Sequence, residues 1–410
     1  MSQIIFLNRY FFPDHSATSQ VLSDLAFYLA RQGRNVVVVT SRQKYDDSTA
    51  ELAPFEEVDG VRVHRVGTTR FGRSGTFTRA IDYASFYGPA YWMVLSIASQ
   101  SDVLVLKTDP PLLSLLGGLA QRSRHLTSIN WLQDIYPEVA QQLGVPIIRG
   151  PLGSVLKYAR DASLRSAYAN VVLGARMADR VRAAGVPENR IRIIPNWVDE
   201  QSVTPLEHAS NPLVKEWGLD GKFVVGYSGN LGRAHEFETI LQAAQRLKGD
   251  EDVVFLTIGG GHRQKELATR VQHLGLDRSF RFFPYQPDHL LKFSLNVPHV
   301  HWISLLPQLE GLIVPSKFYG AAAAGRPTIF IGDHAGELAQ TIIREKMGYV
   351  VTPGRGDELA GRIKFLKANR AELQVFGYNA RQAAERTFSR RQALSAWSEL
   401  LDSAVNPVAY

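Results

Sequence analysis

A chain of 410 residues is too long for one ordinary hydrophobic core, and 45% apolar with 21% charged residues excludes the disordered and fibrous classes. The absence of cysteine removes disulfides, thiolate nucleophiles and cysteine zinc sites. The net charge of +7 gathers in the first half, with 22 Lys and Arg against 16 Asp and Glu up to Val198 and 24 against 23 after it, so that half is expected to meet an anionic surface or substrate.

The first residues, MSQIIFLNRYFFP, have no basic segment followed by an apolar run and a cleavage site, and read as a core strand rather than a signal peptide. Strands are predicted at residues 4–7, 36–40, 61–66, 103–107, 127–132, 170–173 and 191–195, then at 223–228, 253–258, 280–283, 299–306, 328–331 and 348–351. Runs such as VVVVT and VVFLTI suit strands buried on both faces of a parallel sheet. Helices fall between them, for example 19–32, where Gly33 ends the apolar periodicity. The stretch 86–98 is broken by Gly88 and Pro89 and is shorter than the roughly 20 apolar residues of a spanning helix. The series restarts after IIPNWVDE, residues 193–200. The expected architecture is therefore α/β, two doubly wound Rossmann-like domains facing across a cleft, at 1–198 and 199–386, with a helix at 387–410 packing back on the first. No helix-turn-helix, zinc finger or aromatic RNP pattern is present, and no nucleic-acid partner is expected.

Ligands of such sheets lie beyond the carboxyl ends of the strands, which selects among the loops. TIGGGHRQKEL, residues 257–267, places three glycines, Gly260 in the middle, between a strand and a helix, where backbone comes close to phosphate and helix N–H groups attract anions. YSGNLGRAHEF, residues 227–237, offers Gly229, Asn230, Gly232 and the cation Arg233 after a strand, a diphosphate cradle. QLEGLIVPSKFYGAAAAGRP, residues 308–327, brings Glu310, Ser316 and Lys317 to an alanine-rich helix. Ser316 is expected to cap that helix. Lys317 opposes the helix dipole unless an anion sits beside it. Gln264 stands where a dinucleotide motif needs a third glycine, which argues against an NAD-dependent dehydrogenase.

Together with RYFFPDHSATSQVLSDLAFYLARQGRNVVVVT, WLQDIYPE, IIPNWVD and GLIVPSKFYGAAAAGRPTIFIGD, these stretches resemble glycosyltransferase family 4, of the GT-B fold. They are especially similar to its bacterial branch that builds colanic acid, O-antigen and related surface polysaccharides. The resemblance implies a nucleotide sugar held mainly by the second domain, an acceptor held mainly by the first, no required metal or other cofactor, and retention of anomeric configuration. Carried over by position, Tyr285 and Gln286 fall in the loop that holds the base through its backbone. Glu310 falls near the first glutamate of the family's Glu-x7-Glu motif, and Gly320 where the second would be. Asn230 and His235 replace the usual Arg and Lys, and Arg233 and Lys317 are the candidates for the missing charge. Gln133-Asp134 stands where a His-Asp pair is common, and Ser16-Ala17, beside His15, where Gly-Gly is common.

Three competing readings carry less. Asp250-Glu251-Asp252 has the spacing of a metal-binding Asp-x-Asp but precedes its strand, at the wrong end of the sheet. His299 and His301 alternate on one strand with no third zinc ligand evident. Asp134 with Glu310 as a glycosidase pair would leave the diphosphate loops without a role. The expected activity is retaining transfer from a UDP-sugar, with a GDP-sugar the less favoured donor, to a lipid-diphosphate-linked saccharide. Arg233, Lys317 and the N–H groups of 229–232 would stabilise the leaving diphosphate, and Asp134 and His15 would orient hydroxyls. A nucleotide-sugar 2-epimerase of the same fold and a non-catalytic nucleotide-sugar-binding subunit are the alternatives. The expected location is the cytoplasm, with peripheral membrane contact through Arg65, Arg70, Arg73 and Arg79 interleaved with Phe71, Phe77, Tyr83, Phe86, Tyr87, Tyr91 and Trp92.

Overall fold

The computed structural model describes residues 2–45, 47, 49–71 and 76–405. It forms two compact units. One takes the chain as far as Pro195, together with Gly311–Ile313 and the last helix from Ala393; the other takes Asn196–Glu310 and Val314–Gln392.

The first unit contains β1 (Gln3–Leu7), β2 (Asn35–Ser41), β3 (Phe55–Val58), β4 (Val61–Val66), β5 (Val103–Leu106), β6 (Thr127–Trp131), β7 (Ala169–Val172) and β8 (Ile191–Ile193). They form one sheet in the order β3-β4-β2-β1-β5-β6-β7-β8. Only β3 is antiparallel to its neighbour. The apolar runs of β2 and β5 are buried without alternation, as strands covered on both faces must be. The predicted helix at 19–32 starts two residues earlier, as Ala17–Arg31, and Gly33 ends it at φ 77°.

β3 was not expected, because FEEV alternates exposed and half-buried residues and lacks an apolar run. Its signal is the turn that follows. Asp59-Gly60 takes φ 47° and 78°, the two positive values of a tight hairpin turn, and pairs Val58 with Val61. In the helix Arg390–Val405, Trp397 is fully buried with its ring 4.5 Å from Trp131. Truncating such a side chain costs about 3–5 kcal/mol.

The second unit contains β9 (Phe223–Asn230), β10 (Val253–Gly260), β11 (Phe280–Phe283), β12 (Val300–Ser304), β13 (Thr328–Ile331) and β14 (Gly348–Val351). The order is β11-β10-β9-β12-β13-β14, all parallel. β9 and β12 pair over only two residues, Val225 and Gly226 of β9. Pro298 lies against Gly226, where an added Cβ would stand 2.1 Å from the proline Cγ. In each sheet the direction of connection reverses once, between β1 and β5 in the first and between β9 and β12 in the second. The carboxyl ends of those strands are where a doubly wound sheet binds ligands.

Among the described residues no helix is long and apolar enough to cross a membrane. The basic and aromatic run expected at a membrane divides. Arg65 is buried, ion-paired with Glu56, and donates to the carbonyls of Phe12 and Ala53, so it is not available to headgroups. Phe86 is core, because the aromatic spacing of the helix Thr76–Ile97 builds its packed face. Tyr83 lies under the Arg9 guanidinium, the Tyr87 hydroxyl donates to the Pro111 carbonyl, and Tyr91 pairs with Ser123. Arg70 pairs with Glu51, while Phe71 and Trp92 are exposed at 58% and 72%. Arg73 and the side chains of Phe77 and Arg79 lie outside the described part of the structure.

Candidate functional site

In the second unit β9 and β10 run in register into glycine. Gly229 pairs with Gly259 and Asn230 with Gly260. Two of the three glycines of the 257–267 stretch, Gly259 and Gly260, therefore finish a strand, Gly261 follows it, and the helix begins only at Gln264. Gly229, Gly259 and Gly261 all have φ near 126°, a region L side chains avoid. A Cβ on Gly259 would stand 2.4 Å from the Gly229 carbonyl oxygen, and one on Gly261 would strike Asn230 and the backbone of Leu231. The two strand ends are pressed backbone to backbone, and only glycine fits.

Lys317 lies over this bare backbone. Its Cε and Cγ are 3.1 and 3.2 Å from where a Gly229 Cβ would be. Its Nζ is 3.3 Å from His235 Nε2 and 5.7 Å from the centre of the Tyr227 ring. His235 Nδ1 is 2.7 Å from the Ser304 carbonyl oxygen. A carbonyl can only accept, so Nδ1 carries the proton and the Nε2 lone pair accepts from the ammonium. Burial, and next the Lys317 charge, push His235 down to about 3, and burial lowers Lys317 to about 8. Arg263 donates to the His235 carbonyl at 2.7 Å, pairs with Glu266 and stacks on Phe237, so that cation is tied into the scaffold.

The other expected residues distribute around this centre. Tyr285 is largely exposed and rests its ring edge 3.1 Å from where a Gly260 Cβ would be. Gln286 Nε2 donates to the Pro284 carbonyl at 3.0 Å. Gly232 and exposed Arg233 sit on the loop after β9. Glu310 Oε1 accepts the Glu337 N–H at 2.8 Å, so its carboxylate sits at the start of the helix Glu337–Glu345. Ser316 does not cap its helix as expected. It precedes Lys317–Ala323 with φ −67° and ψ −19°, already helical, whereas a capping hydroxyl needs an extended residue.

In the first unit the corresponding place is built from side chains. Lys107 follows β5 and is 1% exposed. Its Nζ donates to the Thr18 carbonyl at 2.9 Å and lies 3.7 Å from the Trp131 ring centre. Burial holds its ammonium well below the usual lysine range, with Asp109 and Asp134 acting the other way. Asp134, half-buried after β6, bridges to Ile313, and the Ile135 N–H donates to the Leu312 carbonyl at 2.9 Å. Burial and then Asp109 push the Asp134 carboxyl up to about 7, against the pull of Lys107. His15 is exposed on the loop before the helix Ala17–Arg31.

The competing motifs fall elsewhere. Asp250 and Asp252 pair with Lys367 and Lys222, at 2.5 and 3.4 Å, before β10. His299 Nδ1 accepts the Val224 N–H and His301 Nε2 faces the Leu295 carbonyl. Burial pushes these imidazoles down to about 3 and 4. Sequence reasoning passed over Lys107 and Asp109. Their signal was a cation closing the apolar run VLVL at the carboxyl end of a central strand. It also read His235 only as a lost cation.

Comparison with known proteins agrees over most of the chain. Residues 16–197 match the glycosyl transferase 4-like domain, and residues 212–383 match glycosyl transferases group 1. WbjE of Pseudomonas aeruginosa, named as a glycosyltransferase, is 27% identical over 263 residues, 63% of this chain and 64% of its own length, under two thirds of that protein. WcaI of Escherichia coli (strain K12), named as a colanic acid biosynthesis glycosyl transferase, is 24% identical over 403 residues, 93% of this chain and 95% of its own. Among solved structures, sucrose-phosphate synthase from Thermosynechococcus elongatus superposes with a TM-score of 0.80 at 16% identity, covering 100% of both chains. HepE of Anabaena in complex with UDP gives 0.73 at 15% identity, over 98% of this chain and 100% of that one. These likenesses establish the GT-B fold.

Proposed function

Since the chain belongs to the glycosyltransferases that join a 4-like domain to a group 1 domain, we propose that its nucleotide-sugar donor is a UDP-sugar. Its acceptor is a lipid-diphosphate-linked saccharide of a bacterial surface polysaccharide. The observation that carries the reading is Lys317 lying on the glycine backbone at the ends of β9 and β10. A diphosphate needs close backbone approach and a cation that is not already neutralised, and both meet here. HepE, of the same fold, is named in complex with UDP and with UDP-glucose, and WcaI is named for colanic acid biosynthesis.

In the reaction the bond between the anomeric carbon and the β-phosphate oxygen breaks, and its electron pair leaves with UDP. The acceptor hydroxyl oxygen bonds to the same carbon, with retention, and its proton passes to the departing diphosphate. Lys317 and the N–H groups near Gly229 meet charge that grows in the transition state, which is where a fixed cation accelerates most. Arg233 adds a second cation from the loop after β9. Asp134 orients hydroxyls in the first unit, where the acceptor binds. Phe71 and Trp92, with Arg70 nearby in sequence, supply peripheral contact with an anionic membrane.

Thermal stabilisation of the full chain by a panel of nucleotides and nucleotide sugars tests the donor reading. UDP at a hundredfold excess over its Kd should add about 2.7 kcal/mol of stability. Indifference to every uridine nucleotide overturns it. UDP binding without turnover of any sugar donor selects the non-catalytic alternative, and turnover of UDP-GlcNAc without acceptor selects the epimerase.

A further inference from the structure

We propose that His235 is the positioning residue that aims Lys317 at the donor diphosphate, an inference that rests on the donor site described above. Lys317 opens the helix Lys317–Ala323, and His235, on the loop after β9, meets its ammonium at 3.3 Å.

The bonding pattern requires a neutral acceptor. The Ser304 carbonyl, at the end of β12, fixes the proton on Nδ1 and so turns a lone pair on Nε2 toward the Lys317 ammonium. His235 is 7% exposed and cannot turn away to solvent. A carboxylate at this position would hold the ammonium as firmly but would cancel its charge. Imidazole orients one N–H of the ammonium and leaves the charge, with the remaining donors, for phosphate oxygens. The charged and titratable groups around the pair are Tyr227 from β9, whose ring meets His235 edge-on at 5.8 Å, and Arg263, bonded to the His235 carbonyl. Both favour a neutral imidazole: the arginine repels a second cation, and burial against the ring desolvates it. Gly229 completes the device, because any side chain there would press on the lysine stem.

The test uses the full chain with UDP as the probe, titrated by calorimetry between pH 7 and 9. The variants are Lys317→Met, His235→Phe, His235→Gln and the double Lys317→Met/His235→Phe. His235→Phe is expected to weaken UDP about 10- to 100-fold, the size of one hydrogen bond to a charged group. It should also move the alkaline loss of affinity to lower pH, because the ammonium has lost its acceptor. His235→Gln, whose carboxamide both donates to Ser304 and accepts from Lys317, should restore affinity and pH profile. The double variant should bind no more weakly than Lys317→Met alone. Independently of any histidine variant, 15N NMR of the imidazoles should find His235 protonated at Nδ1, with its Nε2 resonance moving in Lys317→Met. An Nε2-protonated His235, a folded His235→Phe with unchanged affinity, or additive losses in the double variant would overturn the inference. If Lys317→Met itself binds UDP normally, the donor-site reading fails and takes this inference with it. If Lys317→Met is impaired and His235→Phe is not, only this inference falls.

Discussion

At the ends of β9 and β10 the chain is largely bare backbone, Gly229, Gly259, Gly260 and Gly261, with one lysine laid across it. Beyond the ends of β5 and β6 it presents side chains, Lys107, Asp109 and Asp134, whose charges oppose one another. The first edge suits a polyanion that must approach the main chain. At the second, the cation already lies among carboxylates. The residues that close four strands thus give the two sheets different chemistry, bare backbone with a cation in one and opposed charged side chains in the other.

The largest expected effect is on the glycine edge. Lys317→Ala should lower kcat on the order of 10²-fold or more, as loss of a preorganised anion donor does, and should weaken UDP. Arg233→Ala should act in the same direction and Arg233→Lys should not fully rescue it, because Lys lacks the fork of donors. Steady-state UDP release, with circular dichroism as the folding control, measures both. Near-normal kcat in both folded variants would break the comparison. Gly259→Ala tests the backbone packing instead. A Cβ 2.4 Å from the Gly229 carbonyl oxygen at φ 126° should cost about 2–4 kcal/mol, read as a lowered midpoint in urea.

Protons should separate the two units by sign. His235, His299 and His301 of the second unit bind a proton far less readily folded, at about 3 to 4, than unfolded, at 6.5. The unfolded state therefore holds more protons between these values, and stability is lost as pH falls below 6.5, by up to about 1.4 kcal/mol per pH unit for each histidine. Asp134 runs the other way. Its carboxyl is raised from 3.8 to about 7, so the native state holds the extra proton and stability is lost as pH rises through that window. Asp134→Asn should accordingly gain stability relative to the parent between pH 5 and 8. It should leave UDP affinity unchanged while lowering turnover. A constant difference in Tm across that range would remove Asp134 from the comparison. The smallest effect concerns the membrane: Trp92→Ala should reduce sedimentation with anionic vesicles at low salt, and equal binding to anionic and neutral vesicles would refute the contact.

Much of this was legible in the sequence for identifiable reasons. Unbroken apolar runs such as VVVV and VLVL leave no alternative to a strand buried on both sides. Glycines clustered after strands marked the bare edge. What escaped depends on partners distant in the chain. His235 matters because a carbonyl 69 residues later fixes its tautomer. Arg65 looked like a surface charge until Glu56 and two carbonyls closed around it. β3 escaped for a local reason, since Asp59-Gly60 announced a hairpin that the pattern of FEEV concealed.

Gly311–Ile313 belongs to the first unit although the residues on either side of it belong to the second. The polypeptide therefore passes between the units four times, at 195–196, 310–311, 313–314 and 392–393, and no single splice separates the halves. Leu312 and Ile313 complete the backbone bonding of Ile135 and Asp134, and Gly311, at φ 74°, fits closely beside the Arg176 carbonyl. A fragment of residues 199–386 would carry that tripeptide away from its partners and leave main-chain groups of 134–135 unpaired in whatever remained. A chimera that borrows its second unit from a relative must therefore keep residues 311–313 from the host.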